Sequence, residues 1–318
     1  MTDTPRGLHL PVRVSYHDDY VIPLPPRHSF PMPKFSALRD LLVDEAIIAP
    51  GDIVAPEEAN WDLLGLVHTK DYLESLRCGS MAMSAVRRMG FPWTQSLVRR
   101  SRLAVQGTVN ASRMALEDGI SGNLAGGTHH AMPDHAQGFC VLNDTAIAIR
   151  FLQESGLIRR ALVIDLDVHQ GNGTAKIFEH DPSVYTFSVY GEKNFPLRKE
   201  RSTRDVPLPD HMADEDYLRV IDTHLPSALN ESEPDIVFYV QGVDIVKDDK
   251  FGRLNVSREC LRARDECVLR AVSERGLPLV LLLGGGYAPT PQRTADLHAE
   301  MHRTAASLGL ISSQQTAS

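Results

Sequence analysis

The sequence lacks several features by which a chain of this length is commonly classified. Its four cysteines (Cys78, Cys140, Cys260 and Cys267) form no Cys-x-x-Cys pair, so they make no zinc-finger pattern and are expected to be reduced thiols. No apolar run approaches the ~20 residues that a membrane-spanning helix needs. The first residues lack the basic and apolar segments of a signal peptide. We therefore expect a cytoplasmic protein with no membrane partner.

Positive charge is also scarce. The 318 residues include 33 Lys and Arg against 41 Asp and Glu, which gives a formal net charge of -8. The arginine-rich stretches at 99–102 and 198–201 are short, and we interpret them as solvated faces. This charge balance predicts that the protein has no nucleic-acid partner. No Gly-x-Gly-x-x-Gly follows a predicted strand, and the glycines at 171–173 lack the Gly-Lys-Ser/Thr ending of a P-loop.

Four apolar runs are present, and each ends in polar residues suited to metal or acid–base chemistry. Continuous runs of this length are typical of parallel strands buried on both faces. Helix-like segments alternate with them, which predicts an α/β fold with a mostly parallel central sheet flanked by helices on both faces. We expect a single domain over residues 1–318, with a frayed tail at 312–318. The runs are 123–127 before Thr128-His129-His130, 161–164 before Asp165-Leu166-Asp167-Val168-His169, 236–240 before Gln241-Gly242-Val243-Asp244, and 279–283 before Gly284-Gly285-Gly286-Tyr287.

Local patterns predict further elements between these runs. Asn143 offers an N-cap, and Gly156 stands where a glycine would end the same helix. Pro226 is expected to kink or shorten the helix that contains it. The predicted helices cover 36–45, 103–118, 143–154, 214–229, 257–275 and 290–308, and the further strands cover 12–16 and 184–189.

Asp165, Asp167 and His169 project to one side of a strand, because side chains on a strand alternate with a period of two. Burying carboxylates without a partner is costly, so a cation is the natural compensation. One histidine with carboxylates suits Zn²⁺, with Fe²⁺ or Mn²⁺ as alternatives. Asp244 offers a third ligand from another strand end, and three protein ligands leave a position for water, as in catalytic zinc sites. Alternatively, the side chains of 165–169 cap the helix that follows.

Two adjacent histidines and a tyrosine after glycines are candidates for acid–base and oxyanion chemistry. Gly126-Gly127 allows a sharp turn that brings His129 and His130 to one site, and imidazoles titrate near neutral pH. A lone histidine more often has a structural role. The three glycines at 284–286 permit close approach to a ligand and let Tyr287 donate to an oxyanion, although they are alternatively a tight connection.

Taken together, these residues resemble the zinc-dependent histone deacetylase family, and most closely its class IV type and bacterial members. The likeness covers nearly the whole chain, and its blocks occur in the family's order. The blocks are Gly127-Thr128-His129-His130-Ala131, Gly138-Phe139-Cys140-Val141-Leu142-Asn143-Asp144, Asp165-Leu166-Asp167-Val168-His169-Gln170-Gly171-Asn172-Gly173-Thr174, Gly242-Val243-Asp244 and Gly284-Gly285-Gly286-Tyr287.

The resemblance implies an arginase-like α/β fold and hydrolysis of N-ε-acyl-lysine that carries acetyl or longer fatty acyl groups. It also implies Zn²⁺ as the catalytic metal, with Fe²⁺ as an alternative, and a structural K⁺. The roles it implies are zinc ligation by Asp167, His169 and Asp244, general base and acid catalysis by His130, electrostatic support by His129 oriented by Asp165, donation to the substrate carbonyl by Tyr287, substrate contacts by Gly138, Phe139, Phe195 and Gly285, and potassium binding by Asp165, Ser188 and Val189.

Two positions depart from the family pattern. Many members carry an aspartate where this chain has Asn172, and a neutral amide cannot raise the basicity of His130 as a carboxylate would. We therefore expect a lower pKa for His130 than in those relatives. Members often place an acid near the channel rim, where it binds the backbone of a peptide substrate. The stretch 90–93 contains no acid, so this contact with a peptide is in doubt.

Other functions remain open at this point. The same hydrolysis could act on a small acylated amine such as an acetylpolyamine, and acidic residues at the channel mouth would favour that substrate. A non-catalytic acyl-lysine binding protein is a second alternative, against which the retention of His130 and Tyr287 argues. An arginase-type ureohydrolase would need further metal-binding motifs. The sequence carries no prediction of oligomeric state.

Overall fold

The computed structural model describes residues 12–311 of the chain. Within that part, eight strands form one sheet whose neighbouring pairs are all parallel, which confirms the predicted α/β class. The strands are β1 (Val14–Ser15), β2 (Ile53–Val54), β3 (Ile120–Asn123), β4 (Ala161–Asp165), β5 (Val184–Gly191), β6 (Arg204–Leu208), β7 (Ile236–Val240) and β8 (Leu279–Leu282). Their order across the sheet is β2-β1-β3-β8-β7-β4-β5-β6.

Ten α-helices occur between the same limits, and short polar side chains begin several of them. The hydroxyl of Thr94 accepts the N–H of Leu97 at the start of the fifth helix, and Asn143 accepts the N–H of Ala146 at the sixth, as N-caps do. The helices are α1 (Lys34–Asp44), α2 (Trp61–Leu64), α3 (Lys70–Cys78), α4 (Met83–Met89), α5 (Gln95–Asp118), α6 (Asp144–Glu154), α7 (Asn172–Phe178), α8 (Asp214–Ser232), α9 (Arg258–Ser273) and α10 (Pro291–Ser307).

Side chains of the sheet are buried on both of its faces. On β4, Leu162 and Ile164 join one apolar cluster with α1, α8, α9 and α10, whereas Ala161 and Val163 join a second cluster with α6. Each large aliphatic side chain that is buried contributes about 1.5–3 kcal/mol. Helices therefore cover both faces, and the sheet is a well-packed base for the loops at its carboxyl edge.

The sequence-based elements differ from the structure mainly in where they begin and end. Only Asn123 of the apolar run 123–127 belongs to β3, which begins earlier, at Ile120, and Gly126 and Gly127 then turn the chain with φ angles of 77° and 73°. The first strand has two residues instead of the predicted 12–16. β2 and β6 were not predicted, and both lie at the edges of the sheet. β6 contains Pro207, a residue that edge strands tolerate and central strands do not.

Helix boundaries show smaller differences. α5 begins at Gln95 instead of 103, and α8 continues through Pro226 to Ser232 instead of ending at 229. The predicted tail at 312–318 lies outside the described residues. Between residues 12 and 311, none of the helices combines the length and the apolar character that crossing a bilayer requires.

Candidate active site

Two carboxylates and one imidazole converge where β4 and β7 end. Asp167 and His169 follow β4, and Asp244 follows β7. The Nδ1 atom of His169 lies 3.0 Å from Oδ1 of Asp167 and 3.1 Å from Oδ2 of Asp244. Ligand atoms from the three residues lie within 4.8 Å of one another, and all three residues are buried. The structure therefore brings together the three residues that the sequence nominated as metal ligands.

This set of donor atoms fits a divalent cation. Two buried carboxylates that both contact one imidazole nitrogen need a positive charge between them. One nitrogen and two oxygens are a set of ligand atoms that Zn²⁺ accepts. Backbone N–H groups hold both carboxylates in place, because Val168 donates to Oδ1 of Asp244 at 3.0 Å and Gly285 donates to Oδ2 of Asp167 at 2.5 Å. Such outer contacts orient metal ligands. The alternative interpretation, that side chains of 165–169 cap α7, is wrong, because the N-cap residue of this helix is Gly171 and no side chain caps it.

His129 and His130 lie side by side with different partners. Nδ1 of His129 is 2.7 Å from Oδ2 of Asp165, a carboxylate, whereas Nδ1 of His130 is 2.7 Å from Oδ1 of Asn172, an amide. The ring centroids of the two histidines are 4.0 Å apart. Since the Asn172 oxygen only accepts, Nδ1 of His130 carries the proton and its Nε2 keeps a free lone pair.

The two imidazoles are therefore driven to opposite protonation states. Burial alone would lower the pKa of His129, but the charges of Asp165 and Asp167 outweigh it and raise this pKa to about 9. Burial and the neighbouring charges of His129 and His169 hold the pKa of His130 well below its usual range. At neutral pH, His129 is a cation and His130 is a neutral base.

Tyr287 lines the same cavity as the two histidines and comes directly after the three glycines that follow β8. Its backbone N–H donates to Oδ2 of Asp249 at 2.6 Å, which fixes the end of this turn. Burial and the negative charges of Asp244 and Asp167 raise the pKa of Tyr287 well above its usual range. The phenol therefore keeps its proton and can act as a hydrogen-bond donor.

Aromatic rings form the walls above the histidines. Phe195 packs edge-on against His130 with ring centroids 4.9 Å apart, and Phe139 lies 5.9 Å from the ring of Tyr287. Gly138 and Phe139 both have positive φ, at 57° and 64°. A Cβ at Gly138 would lie 2.7 Å from Cδ2 of His130, so only glycine fits beside this ring. Three of the residues expected to contact the substrate, Gly138, Phe139 and Phe195, line one cavity.

Two cavities meet at this site. An inner cavity of about 40 Å³ extends past Asp167 and His169 to Phe35 and Arg100. An outer cavity of about 460 Å³ opens from His130 and His169 to the surface, past Phe195. In the stretch 90–93, which contains no acid, Phe91 is buried and its ring stacks on that of His28 with centroids 5.5 Å apart.

The residues expected around potassium are also close together. Asp165 on β4 and Ser188 on β5 are direct partners in the sheet, and Val189 follows Ser188. Within the described part of the chain, the buried hydroxyl of Ser188 has no hydrogen-bond partner. A buried oxygen without a partner is what a cation site would use.

Two residues of this region were not singled out from the sequence. Asp249 anchors Tyr287, and Lys34 is fully buried with its Nζ 3.3 Å from the carbonyl oxygen of Gly284. Asp249 follows the predicted ligand Asp244 closely in sequence, and that proximity could have drawn attention to it. Lys34 gives no signal, because a lone lysine at the start of a helix is normally solvated.

A family model described as a histone deacetylase domain matches residues 28–303. The chain belongs to the histone deacetylase family. Members of the family are deacetylases, so this chain is a hydrolase of that family. The histone deacetylase family is generally zinc-dependent, in agreement with the donor atoms described above.

Individual relatives agree with this assignment. An uncharacterized protein of Picosynechococcus sp. is 44% identical over 292 residues, which cover 92% of this chain and 97% of that protein. Histone deacetylase 2 of Arabidopsis thaliana is 32% identical over 84% of this chain and 71% of its own length. The acetoin utilization protein AcuC of Staphylococcus aureus is 27% identical over 82% and 72%. The HDA15 HD domain crystal structure superposes with a TM-score of 0.77 at 21% identity, covering 96% of this chain and 90% of that one, which shows the shared fold.

Proposed function

We propose that this chain is a zinc-dependent lysine deacylase that hydrolyses the amide of N-ε-acyl-lysine. The observation that carries the proposal is the difference between its two histidines. One imidazole is hydrogen-bonded to the buried carboxylate of Asp165 and its neighbour to the amide of Asn172, and both lie beside the three convergent residues of the proposed metal site. Acid–base catalysis needs a base and an acid at the scissile bond.

Asp167, His169 and Asp244 would hold the metal. When bound, Zn²⁺ polarises the amide carbonyl and makes water a better nucleophile at neutral pH. Fe²⁺ suits the same donor atoms and is the alternative metal. We also propose K⁺ at Asp165, Ser188 and Val189, where the hydroxyl of Ser188 lacks another partner.

The chain's own groups supply the proton transfers. Neutral His130 accepts a proton through Nε2 as water attacks, and it returns this proton to the departing amine of lysine. Cationic His129, held by Asp165, contributes positive charge beside the reacting carbonyl. Tyr287 donates its hydroxyl proton in a hydrogen bond to the oxygen on which negative charge develops.

The walls would position the acylated side chain. Phe139 and Phe195 would pack against the four methylenes of lysine, and the carbonyl oxygen of Gly138 would accept the N–H of the scissile amide. Gly285, whose lack of a side chain leaves room beside the metal ligands, would allow the acyl carbonyl to approach.

The inner cavity favours a short acyl group. Its volume of about 40 Å³ is well below the ~150 Å³ of an engineered cavity that holds one benzene ring. An acetyl methyl group fits such a space, whereas octanoyl and myristoyl chains do not fit without movement of Phe35 or Arg100. Within the deacylase proposal, we therefore expect acetyl-lysine to be the preferred substrate.

The deacylase proposal and the acetyl preference are tested together by measuring turnover of one lysine peptide in three forms, acetylated, octanoylated and myristoylated. The Zn²⁺-loaded protein should hydrolyse the acetyl peptide fastest, and Tyr287→Phe should lower kcat by about 10²–10³. Tyr185→Phe is the matched control, because its hydroxyl contacts Glu231 on the surface. No turnover of any of these peptides by metal-loaded protein would refute the deacylase proposal, and faster turnover of a long chain would refute only the acyl preference.

A further inference from the structure

The entrance to the outer cavity carries positive charge. We define the channel mouth as Lys193, Phe195, Lys250, Phe251 and Arg253, which line this cavity on its solvent side. Its three ionisable side chains are all basic. The chain as a whole has a net charge of -8, so the sign at the mouth is the reverse of that of the whole molecule.

One carboxylate lies behind two of these cations. Asp210 contacts Arg253 at 3.0 Å and 2.6 Å and lies 3.7 Å from Nζ of Lys193. The side chain of Asp210 is 14% exposed, whereas that of Lys193 is 68% exposed. The negative charge is therefore on the protein side and the ammonium faces the solvent, where a substrate arrives.

Lys250 has no such compensation. Its backbone N–H donates to the carbonyl of Tyr287 at 3.2 Å, and its Nζ lies 5.2 Å from the ring centroid of Phe251. Among the described residues, no carboxylate oxygen lies within 4.0 Å of this ammonium. The neighbouring Asp249 turns inward and accepts backbone N–H groups, including that of Tyr287.

Resting on the proposed deacylase function, we propose that the channel mouth selects substrates that carry a carboxylate at the end of the alkyl chain remote from the acylated amine. Lys250 and Lys193 would pair with that carboxylate, and Phe195 and Phe251 would contact the apolar part beside it. These two rings are 40% and 37% exposed. An acylated polyamine, which is cationic at its free end, meets like charge at this entrance and is disfavoured.

Two kinds of substrate share this chemistry. One is an acyl-lysine flanked by Asp or Glu in a peptide, and the other is a small acylated amine that itself carries a carboxylate. Exposed ion pairs of this type are worth about two- to fivefold in binding, and added salt weakens them. The expected signature is a salt-sensitive change in kcat/KM rather than loss of turnover.

The experiment compares kcat/KM at low and high ionic strength for five acetylated substrates. Three are peptides with acetyl-lysine flanked by Asp, by Gln or by Arg, and two are small molecules, acetamidohexanoate and N-acetylputrescine. The variants are Lys250→Gln and the pair Lys250→Gln with Lys193→Gln. Lys70→Gln is the matched control, because this exposed lysine lies beside a different surface cavity.

We expect the Asp-flanked peptide to exceed the Gln-flanked one by about twofold to fivefold at low salt. This preference should shrink in Lys250→Gln, shrink further in the double variant and stay unchanged in Lys70→Gln. A preference for acetamidohexanoate over both N-acetylputrescine and the peptides identifies the small carboxylate as the source. Equal rates for Asp- and Gln-flanked peptides, together with turnover of N-acetylputrescine at least as fast as that of acetamidohexanoate, overturn the inference. Turnover of the Gln-flanked peptide separates that result from failure of the deacylase proposal.

Discussion

At the scale of single residues, the partner of each histidine sets its chemistry. His129 has a carboxylate partner and His130 has the amide of Asn172, although the two imidazoles are adjacent in the chain. A neutral base loses activity as the pH falls through its own pKa. The group at position 172 therefore controls how far into acid the proposed enzyme works.

Asn172→Asp should move the acid side of the pH–rate profile to higher pH. The new carboxylate stabilises the protonated form of His130, whose pKa burial and the charge of His129 now keep low. Initial rates across the pH range measure the shift. Asn110→Asp, which adds the same charge on α5, should leave the profile in place, and an unshifted profile in Asn172→Asp would contradict this account.

At the scale of elements, the turn after β8 fixes two metal ligands at once. A Cβ on Gly285 would clash with Oδ2 of Asp244 and would lie 2.7 Å from Oδ2 of Asp167. The N–H of Gly285 also holds Asp167. This turn therefore positions the metal ligands as well as carrying Tyr287.

Gly285→Ala should weaken zinc binding about 10- to 100-fold, the usual effect of disturbing the groups that orient metal ligands. Zinc stoichiometry and competition with a chromogenic chelator measure this loss. Gly51→Ala is the control, because a Cβ there has no atom within 4 Å. Wild-type zinc affinity in Gly285→Ala would show that the carboxylates adjust without cost.

The start of α6 depends on a buried histidine. Nε2 of His68 accepts the N–H of Asn143 at 3.0 Å, and Nδ1 lies 3.0 Å from the carbonyl of Met132. Burial lowers the pKa of His68 to about 4, below its ordinary value of 6.5. Between these values the unfolded chain binds more protons, so this histidine's contribution to stability is present above pH 6.5 and is lost as the pH falls towards 4.

His68→Ala should cost about 1–3 kcal/mol of unfolding free energy at neutral pH, because the N–H of Asn143 loses its buried partner. The same variant should lose less stability than the wild type between pH 6.5 and 4.5. Urea unfolding at several pH values measures both effects. His180→Ala, at a side chain that is 91% exposed, should match the wild type, and parallel pH curves for His68→Ala and wild type would rule out this role.

At the scale of the whole molecule, metal binding should stabilise the fold. Zinc that binds the folded chain but not the unfolded chain adds about 2.7 kcal/mol to the free energy of unfolding when its concentration is a hundred times Kd. Calorimetry with and without chelator should show a higher Tm with zinc in the wild type and in His130→Ala. The shift should disappear in Asp244→Ala, and an equal shift in that variant would place the stabilising zinc elsewhere.

Residues near one another in sequence, or at the ends of strands, were predictable. The α/β fold and the approach of Asp167 to Asp244 follow from buried runs in parallel strands, whose carboxyl ends meet at one edge. The edge strand β2 was not predictable, because two residues carry no periodicity. The other edge strand, β6, was missed because Pro207 within it argues against a strand. The positive charge at the channel mouth could not be predicted either, because Lys193 and Lys250 come from separate loops whose packing depends on the complete fold.

The position of β8 has a consequence for biosynthesis. It is the last strand in sequence, yet it lies between β3 and β7 in the sheet. A nascent chain that ends before residue 279 therefore carries two half-sheets with unpaired edges, which favour association with other chains. Gly285 and Tyr287 emerge from the ribosome only after β8. Catalytic competence is thus acquired only after β8 has been synthesised, and chains that end before it should be inactive and should depend on chaperones.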